Sequence, residues 1–215
     1  MAWYNIFSRG VLYSTVYWRL RGLAYATPLH RWLRLGQRKF DRRFWDQRLS
    51  GEWRSYLGST FSIEARNALI GALLRHHCPG ASAVLDLGCA AGSLAHTLRN
   101  DVRRFVGVDI SEAAVAEARQ RHPHAEFHVT KLEAFTPECT FDVIVFGEVL
   151  YYLSVEEAVE HLTRYAKFLS DDGLLIVTMK NDPKSSRIFY NLMDRFRWVN
   201  GALIQEKIDA PEYRI

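Results

Sequence analysis

Cysteine is scarce in this sequence. The three present, Cys78, Cys89 and Cys139, are odd in number and unevenly spaced within 215 residues. That argues against a disulfide framework and for a reduced, cytoplasmic setting. A zinc-type spacing of Cys and His is also missing. His76-His77 and the His122/His124 pair stand without further ligands nearby, so we read them as surface residues and expect no metal. No apolar run approaches the roughly 20 residues of a membrane-spanning helix. The first residues lack the basic stretch and clean apolar core of a secretory signal. Internal repeats and low-complexity tracts are absent too.

What is present is an uneven charge. The net charge is +4, but residues 1–50 hold 10 Lys/Arg against 2 Asp/Glu, and the rest holds 18 against 22. The basic character therefore belongs to the N-terminal segment. That segment reads as two helices separated near Thr27-Pro28. In the first, Trp3, Phe7, Val11, Tyr17 and Trp18 surround a polar stripe of Asn5, Ser8, Thr15 and Arg19. In the second, Leu29, Leu33, Phe40 and Phe44 share a face, with His30, Arg31, Arg34, Arg38 and Arg42 on the others. Such helices suit three uses: covering a cleft or making a homodimer contact, lying on the inner face of a membrane, or gripping nucleic acid. The first is the expectation. An aromatic connection, Phe44-Trp45 through Trp53-Arg-Ser-Tyr-Leu57, leads to the remainder. We divide the chain into an extension, 1–58, and a domain, 59–215.

From Ser62 the apolar period predicts a helix with Ile63, Ile70 and Leu74 on one stripe, ended by Pro79-Gly80. Strand and helix then alternate, the pattern of an α/β fold with a doubly wound, mostly parallel sheet. Strands are expected at 83–87, 104–109, 126–129, 141–146 and 174–179. Ser111 is a candidate cap with Glu112 behind it, and Ser154-Val-Glu-Glu157 reads as a capping box opening a helix over 155–169. Asp171-Asp-Gly173 reads as the turn into the fifth strand. Asp182-Pro183 reads as the start of a helix through Arg197. A short strand pair is expected over 202–208 and 212–215.

One stretch organises all of this: Val84-Leu-Asp-Leu-Gly-Cys-Ala-Ala-Gly92, a strand running into a glycine turn and then a helix from Ser93. Such a turn leaves backbone N–H groups free and lets a ligand approach the main chain. Asp86 lies at the strand's end, where open α/β sheets bind ligands. The next strand, Phe105-Val-Gly-Val-Asp109, ends in an acid about 20 residues past the glycines, the spacing that reaches a ribose hydroxyl. A dinucleotide turn needs Gly-x-Gly-x-x-Gly, whereas this one offers only Gly88 and Gly92 as Gly-x-x-x-Gly.

With Gly-Val-Asp-Ile-Ser111 and Phe141-Asp-Val-Ile-Val-Phe146 in order behind it, this run resembles the class I S-adenosylmethionine (SAM) dependent methyltransferases over roughly Phe61 to Val177. The resemblance implies SAM as cofactor. It places Asp86, Gly88, Cys89, Ala90 and Gly92 at the methionine part and the adenosine, Asp109 on the ribose and Ile110 on the adenine. Phe146 and Gly147 would line the donor's methionine end. Ala90 stands where the family usually has Gly. Lys131, with Leu132 beside it, stands where the family often has an acid accepting the adenine amine; lysine has no acceptor, so the backbone or Glu133 would have to serve. Glu148 would line that methionine end too, and Tyr151 and Tyr152 fall beside the reactive methyl; the three are candidates for acid/base or positioning roles, with Asp182 behind them. The Asn/Asp-Pro-Pro-aromatic motif of adenine-amine methylation is missing here.

A narrower likeness joins Gly51-Glu-Trp53, Ser62-Ile-Glu-Ala-Arg66 and Glu148-Val-Leu-Tyr-Tyr-Leu153. Together these resemble the nodulation N-methyltransferase (NodS) group, which methylates an amino sugar of a lipo-oligosaccharide precursor. The expected function is methyl transfer to O or N of a small molecule or a saccharide or lipid-linked acceptor. Two rivals stand beside it: a SAM-binding scaffold without activity, and an RNA methyltransferase gripping through the basic helices.

Overall fold

The computed structural model describes residues 41–50, 61–180, 182–199 and 201. The helices expected before residue 41, the connection through 51–58 and the strand pair after 201 lie outside the described residues. The elements in chain order are α1 (Arg42–Ser50), α2 (Phe61–His77), β1 (Ala83–Leu87), α3 (Ser93–Leu98), β2 (Arg104–Asp109), α4 (Glu112–Arg121), β3 (Glu126–Val129) and β4 (Phe141–Gly147). A 3-10 turn at Leu150–Tyr152, α5 (Val155–Ala166), β5 (Leu169–Thr178) and α6 (Pro183–Leu192) complete them. The strands form one all-parallel sheet in the order β3-β2-β1-β4-β5.

The chain direction reverses its winding at β1, so a crevice opens beyond the carboxyl ends of β1 and its neighbours. Period-two alternation splits the core between the two faces of the sheet. Val84, Val143 and Val145 face α2, where Ile70, Leu74, Leu94 and Leu98 pack with them. Leu85, Leu87, Ile144 and Phe146 face the other way, against Leu150, Leu162, Tyr165 and Ile188. Each such side chain, fully buried, contributes about 1.5–3 kcal/mol. Asp86 follows the Val84 parity and so points to the α2 face.

The caps form as the sequence implies. Ser111 Oγ accepts from Ala114 N at 3.3 Å. Ser154 and Glu157 close a reciprocal capping box. Asp182 Oδ1 accepts from Ser185 N at 2.8 Å, with Pro183 first in α6.

Three boundaries differ from expectation. α5 stops at Ala166, because Phe168 already gives its carbonyl to Phe141 N at 2.8 Å and so begins sheet pairing. β5 starts at Leu169, and Asp171-Asp-Gly173 is a bulge inside it: Phe141 pairs with Leu169 and Val143 with Leu174. The ladder needs only those two leucines, so the turn-forming residues loop out without ending the strand. α6 ends at Leu192, where Arg195 N and Phe196 N both return to its carbonyl and close a final turn. Among the described residues, no helix is long and apolar enough to cross a membrane.

Candidate active site

The turn after β1 is held from below. Gly88 N and Cys89 N both donate to Val108 O, at 2.8 and 3.1 Å. Gly88, Ala90 and Gly92 all have positive φ, at 87°, 44° and 79°. At Gly92 a Cβ would lie 2.9 Å from His122 Cδ2, and at Gly88 2.9 Å from Val149 Cβ. Glycine is therefore required at both by conformation and by close packing. Ala90 carries its Cβ in the left-handed region at a cost of about 1–2 kcal/mol, which is the physical reason glycine is the usual occupant.

Asp109 ties this turn to the next one. Its Oδ2 accepts from Ala90 N and its Oδ1 from Ser111 N, each at 2.9 Å. Burial pushes its carboxyl upward, against the pull of those N–H groups. The Ile110 N–H acts on the same carboxylate, which leaves it one lone pair for a ligand hydroxyl. Ile110 is half-buried beside it.

Above β1 lies a cavity of about 40 Å³, lined by Arg66 and Asn67 of α2, Asp86, the turn from Gly88 and Gly147. That is space for about three waters, the size of a charged head group. Asp86 is 4% exposed. Burial raises its carboxyl to about 7; the Arg66 charge works against the rise and Asp109 adds to it. The Arg66 charge acts in the same sense on Glu148, while its Nε and Nη2 both donate to Asn67 Oδ1 at 3.4 Å. Asn67 Nδ2 donates to Ser93 Oγ at 3.2 Å and fixes α2 against the turn.

Beyond β4 the chain bends sharply at Glu148, φ 58°, and its N–H reaches Thr178 O at 3.0 Å. A non-glycine residue so held is strained by about 1–3 kcal/mol, a feature that clusters at functional sites. Burial raises the Glu148 carboxyl; Arg66 and the nearby hydroxyls of Thr178 and Tyr151 offset part of the rise. Tyr151 donates its hydroxyl to that of Tyr152 at 3.3 Å, with ring centroids 4.5 Å apart. Burial, then the Glu148 charge, keep the Tyr151 phenol protonated. The edge of Trp45 on α1 meets Tyr152 at 4.7 Å, and Asp46 Oδ1 accepts from Ser111 Oγ at 2.7 Å. α1 thus touches the residues after β2 and after β4 and bridges the crevice between them.

The structure gathers Asp86, Gly88, Cys89, Ala90 and Gly147 around one cavity and sets Gly92, Asp109 and Ile110 beside it. Cys89 contributes main chain only, since its thiol is buried and its pKa is raised well above the usual range. Phe146 is a correction: its side chain is fully buried and packs against Tyr165 at 5.7 Å. Strand parity sends it to the far face, and Val145 takes the crevice side. Lys131 is exposed and Leu132 half-buried. Glu133 does not face the crevice; its carboxylate lies 4.0 Å from His161 on α5. Asp182 is occupied in capping α6. Sequence reading missed Arg66 and Asn67 as site residues. Their signal is two polar residues at i+3 and i+4 from Ile63, on the stripe that continues to Ile70 and Leu74.

Residues 84–173 match the methyltransferase domain family. Over this segment, which is less than half of the chain, the sequence is similar to a methyltransferase domain. Among curated relatives, a ubiquinone biosynthesis O-methyltransferase of Bradyrhizobium diazoefficiens is 31% identical, covering 49% of this chain and 42% of its own. A dTDP-3-amino-3,4,6-trideoxy-alpha-D-glucopyranose N,N-dimethyltransferase of Streptomyces venezuelae is 28% identical, covering 57% and 52%. The chain thus spans about half the length of these relatives. The crystal structure of the N-methyltransferase NodS from Bradyrhizobium japonicum WM9, in complex with S-adenosyl-L-homocysteine (SAH), is similar with a TM-score of 0.58. It is 25% identical and covers 63% of this chain and 71% of that one. The domain therefore has the Rossmann-like class I methyltransferase fold and is similar to NodS.

Proposed function

We propose that this chain is a SAM-dependent methyltransferase acting on N or O of a small molecule or of a saccharide or lipid-linked acceptor. The observation that carries the reading is that Arg66 and Asp86 both line the cavity above the glycine turn. A guanidinium and a carboxylate there match the carboxylate and ammonium of a free amino-acid group. Asp109, one turn away, matches a hydroxyl of a ribose. SAM joins those two parts in one molecule, and the donor set fits both.

When bound, SAM supplies an activated methyl group for in-line displacement. The chain's own residues do the rest. Arg66 and Asp86 anchor one end, Asp109 and Ile110 the other, which fixes the donor's position along the turn. Glu148, buried and raised, stands where it can hold or take a proton from an acceptor amine or hydroxyl. Tyr151 stays protonated and orients the Tyr152 hydroxyl. Trp45 with Tyr152 shields the crevice from water. A buried carboxylate suits a cationic amine better than a neutral hydroxyl, and NodS and the sugar dimethyltransferase are named as N-methyltransferases. We therefore put amines first.

The test is transfer of label from methyl-labelled SAM to a panel beginning with amino sugars and lipid-linked sugars, followed by hydroxylated metabolites. Incorporation by wild type that falls about 100-fold or more in Glu148→Gln is expected. Equal incorporation by both removes Glu148 from the chemistry.

A further inference from the structure

The loop after β3 borders the crevice on the base side: Val129 pairs with Asp109, and Thr130 N donates to Asp109 O at 2.9 Å. Its polar groups are already committed. Arg164 on α5 donates to Leu132 O and Glu133 O, both at 2.9 Å, to Phe135 O at 2.7 Å and to Thr136 Oγ1 at 3.0 Å. The neighbouring Tyr165 hydroxyl reaches Leu132 O at 2.9 Å and Phe135 O at 3.1 Å. Lys131 O takes Ala134 N and Phe135 N, both at 3.1 Å.

A carbonyl oxygen has two lone pairs. Those of Lys131, Leu132 and Phe135 therefore have both in use, and that of Glu133 is turned to Arg164. The Glu133 carboxylate faces His161 instead. What the turn presents is donor in character: the Lys131 ammonium and backbone N–H groups. Thr130 carries a hydroxyl that suits either role.

We propose that the stretch of this loop from Lys131 to Phe135 gives no acceptor to the 6-amino group of the cofactor's adenine. The base is held by its face and by donors to its ring nitrogens, and the site tolerates change at the 6-position. This rests on the SAM reading above. The side chain that would supply the missing acceptor is the one at position 131, which is exposed and can be replaced without disturbing the core.

The test is calorimetric binding of SAH and of its analogue with hydrogen in place of the 6-amino group; this analogue keeps the ring N1 acceptor. Both are titrated into wild type and Lys131→Asp. Wild type is expected to bind the two within about threefold. Lys131→Asp is expected to prefer SAH by about tenfold or more, the worth of one hydrogen bond to a charged acceptor. A wild-type preference for SAH of tenfold or more overturns the proposal, as does a Lys131→Asp chain that binds the two ligands equally. Wild type that binds neither ligand overturns the SAM reading itself, and this proposal with it.

Discussion

At the residue scale, Asp86 couples stability to ligand affinity. Its carboxyl rises from an ordinary 3.8 to about 7 on burial. The folded protein therefore holds a proton that the unfolded chain releases. The associated stability is complete below 3.8 and is lost as pH rises through about 7. Thermal melts of the unliganded protein are expected to fall between pH 5 and 8, and Asp86→Asn to flatten that slope. Ligand affinity runs the other way, because an ammonium needs the ionised carboxylate. SAH binding is expected to strengthen by up to about tenfold per pH unit below 7 and then level off; in Asp86→Asn it should be weak and flat. Matching slopes for variant and wild type would remove Asp86 from both roles. Ala90 gives a second expectation. Its φ of 44° is free to glycine, so Ala90→Gly is expected to stabilise the fold by about 1 kcal/mol, read from urea unfolding.

Much of the site is legible in sequence because it is local. The turn from Gly88 to Gly92 and the acid at Asp109 declare themselves by spacing. Arg66 is separated in sequence from the turn it serves, so its partners appear only when α2 folds over β1. The role given to Phe146 failed on parity: β4 sends alternate side chains to opposite faces, and only the packing of α5 shows which face Phe146 takes.

At the element scale, α5 does more than cover the sheet. Arg164 and Tyr165 together hold the loop after β3 by three of its carbonyls. Arg164→Met leaves those carbonyls short of donors, and a loss of about 2–3 kcal/mol is expected, measured by denaturant midpoint. A change within experimental error would mean that water replaces the guanidinium at little cost. α1 is held at both ends of the crevice, by Asp46 on α4 and by Trp45 on Tyr152. Asp46→Ala is expected to speed hydrogen exchange at the Ala113 amide, to which Asp46 is an acceptor at 3.4 Å. Strand positions follow closely from the apolar pattern. Element ends do not, because they depend on what the next element claims: Phe168 leaves α5 for the sheet, and the Asp171–Gly173 bulge survives because Leu169 and Leu174 hold the ladder across it.

At the scale of the whole molecule, one geometry recurs. Every residue given a role in binding lies at or just after the carboxyl end of a strand or faces that end from α2, and α1 spans the gap. The reversal of winding at β1 creates the crevice, and the two core faces hold its rim in place. Period-two and period-3.6 patterns carry that architecture in the sequence. The identity of the acceptor has no such periodic trace, because it depends on a few side chains brought together from α1 and the turn after β4.

The central claim is that this crevice binds SAM along the turn from Asp86 to Asp109. Calorimetric titration of the full chain with SAM and then SAH tests it most directly, on wild type and on Asp109→Ala with its circular dichroism verified. Micromolar binding by wild type, weakened at least about tenfold by loss of the ribose acceptor, is the predicted result. No heat from wild type, or equal affinity in the variant, would contradict it.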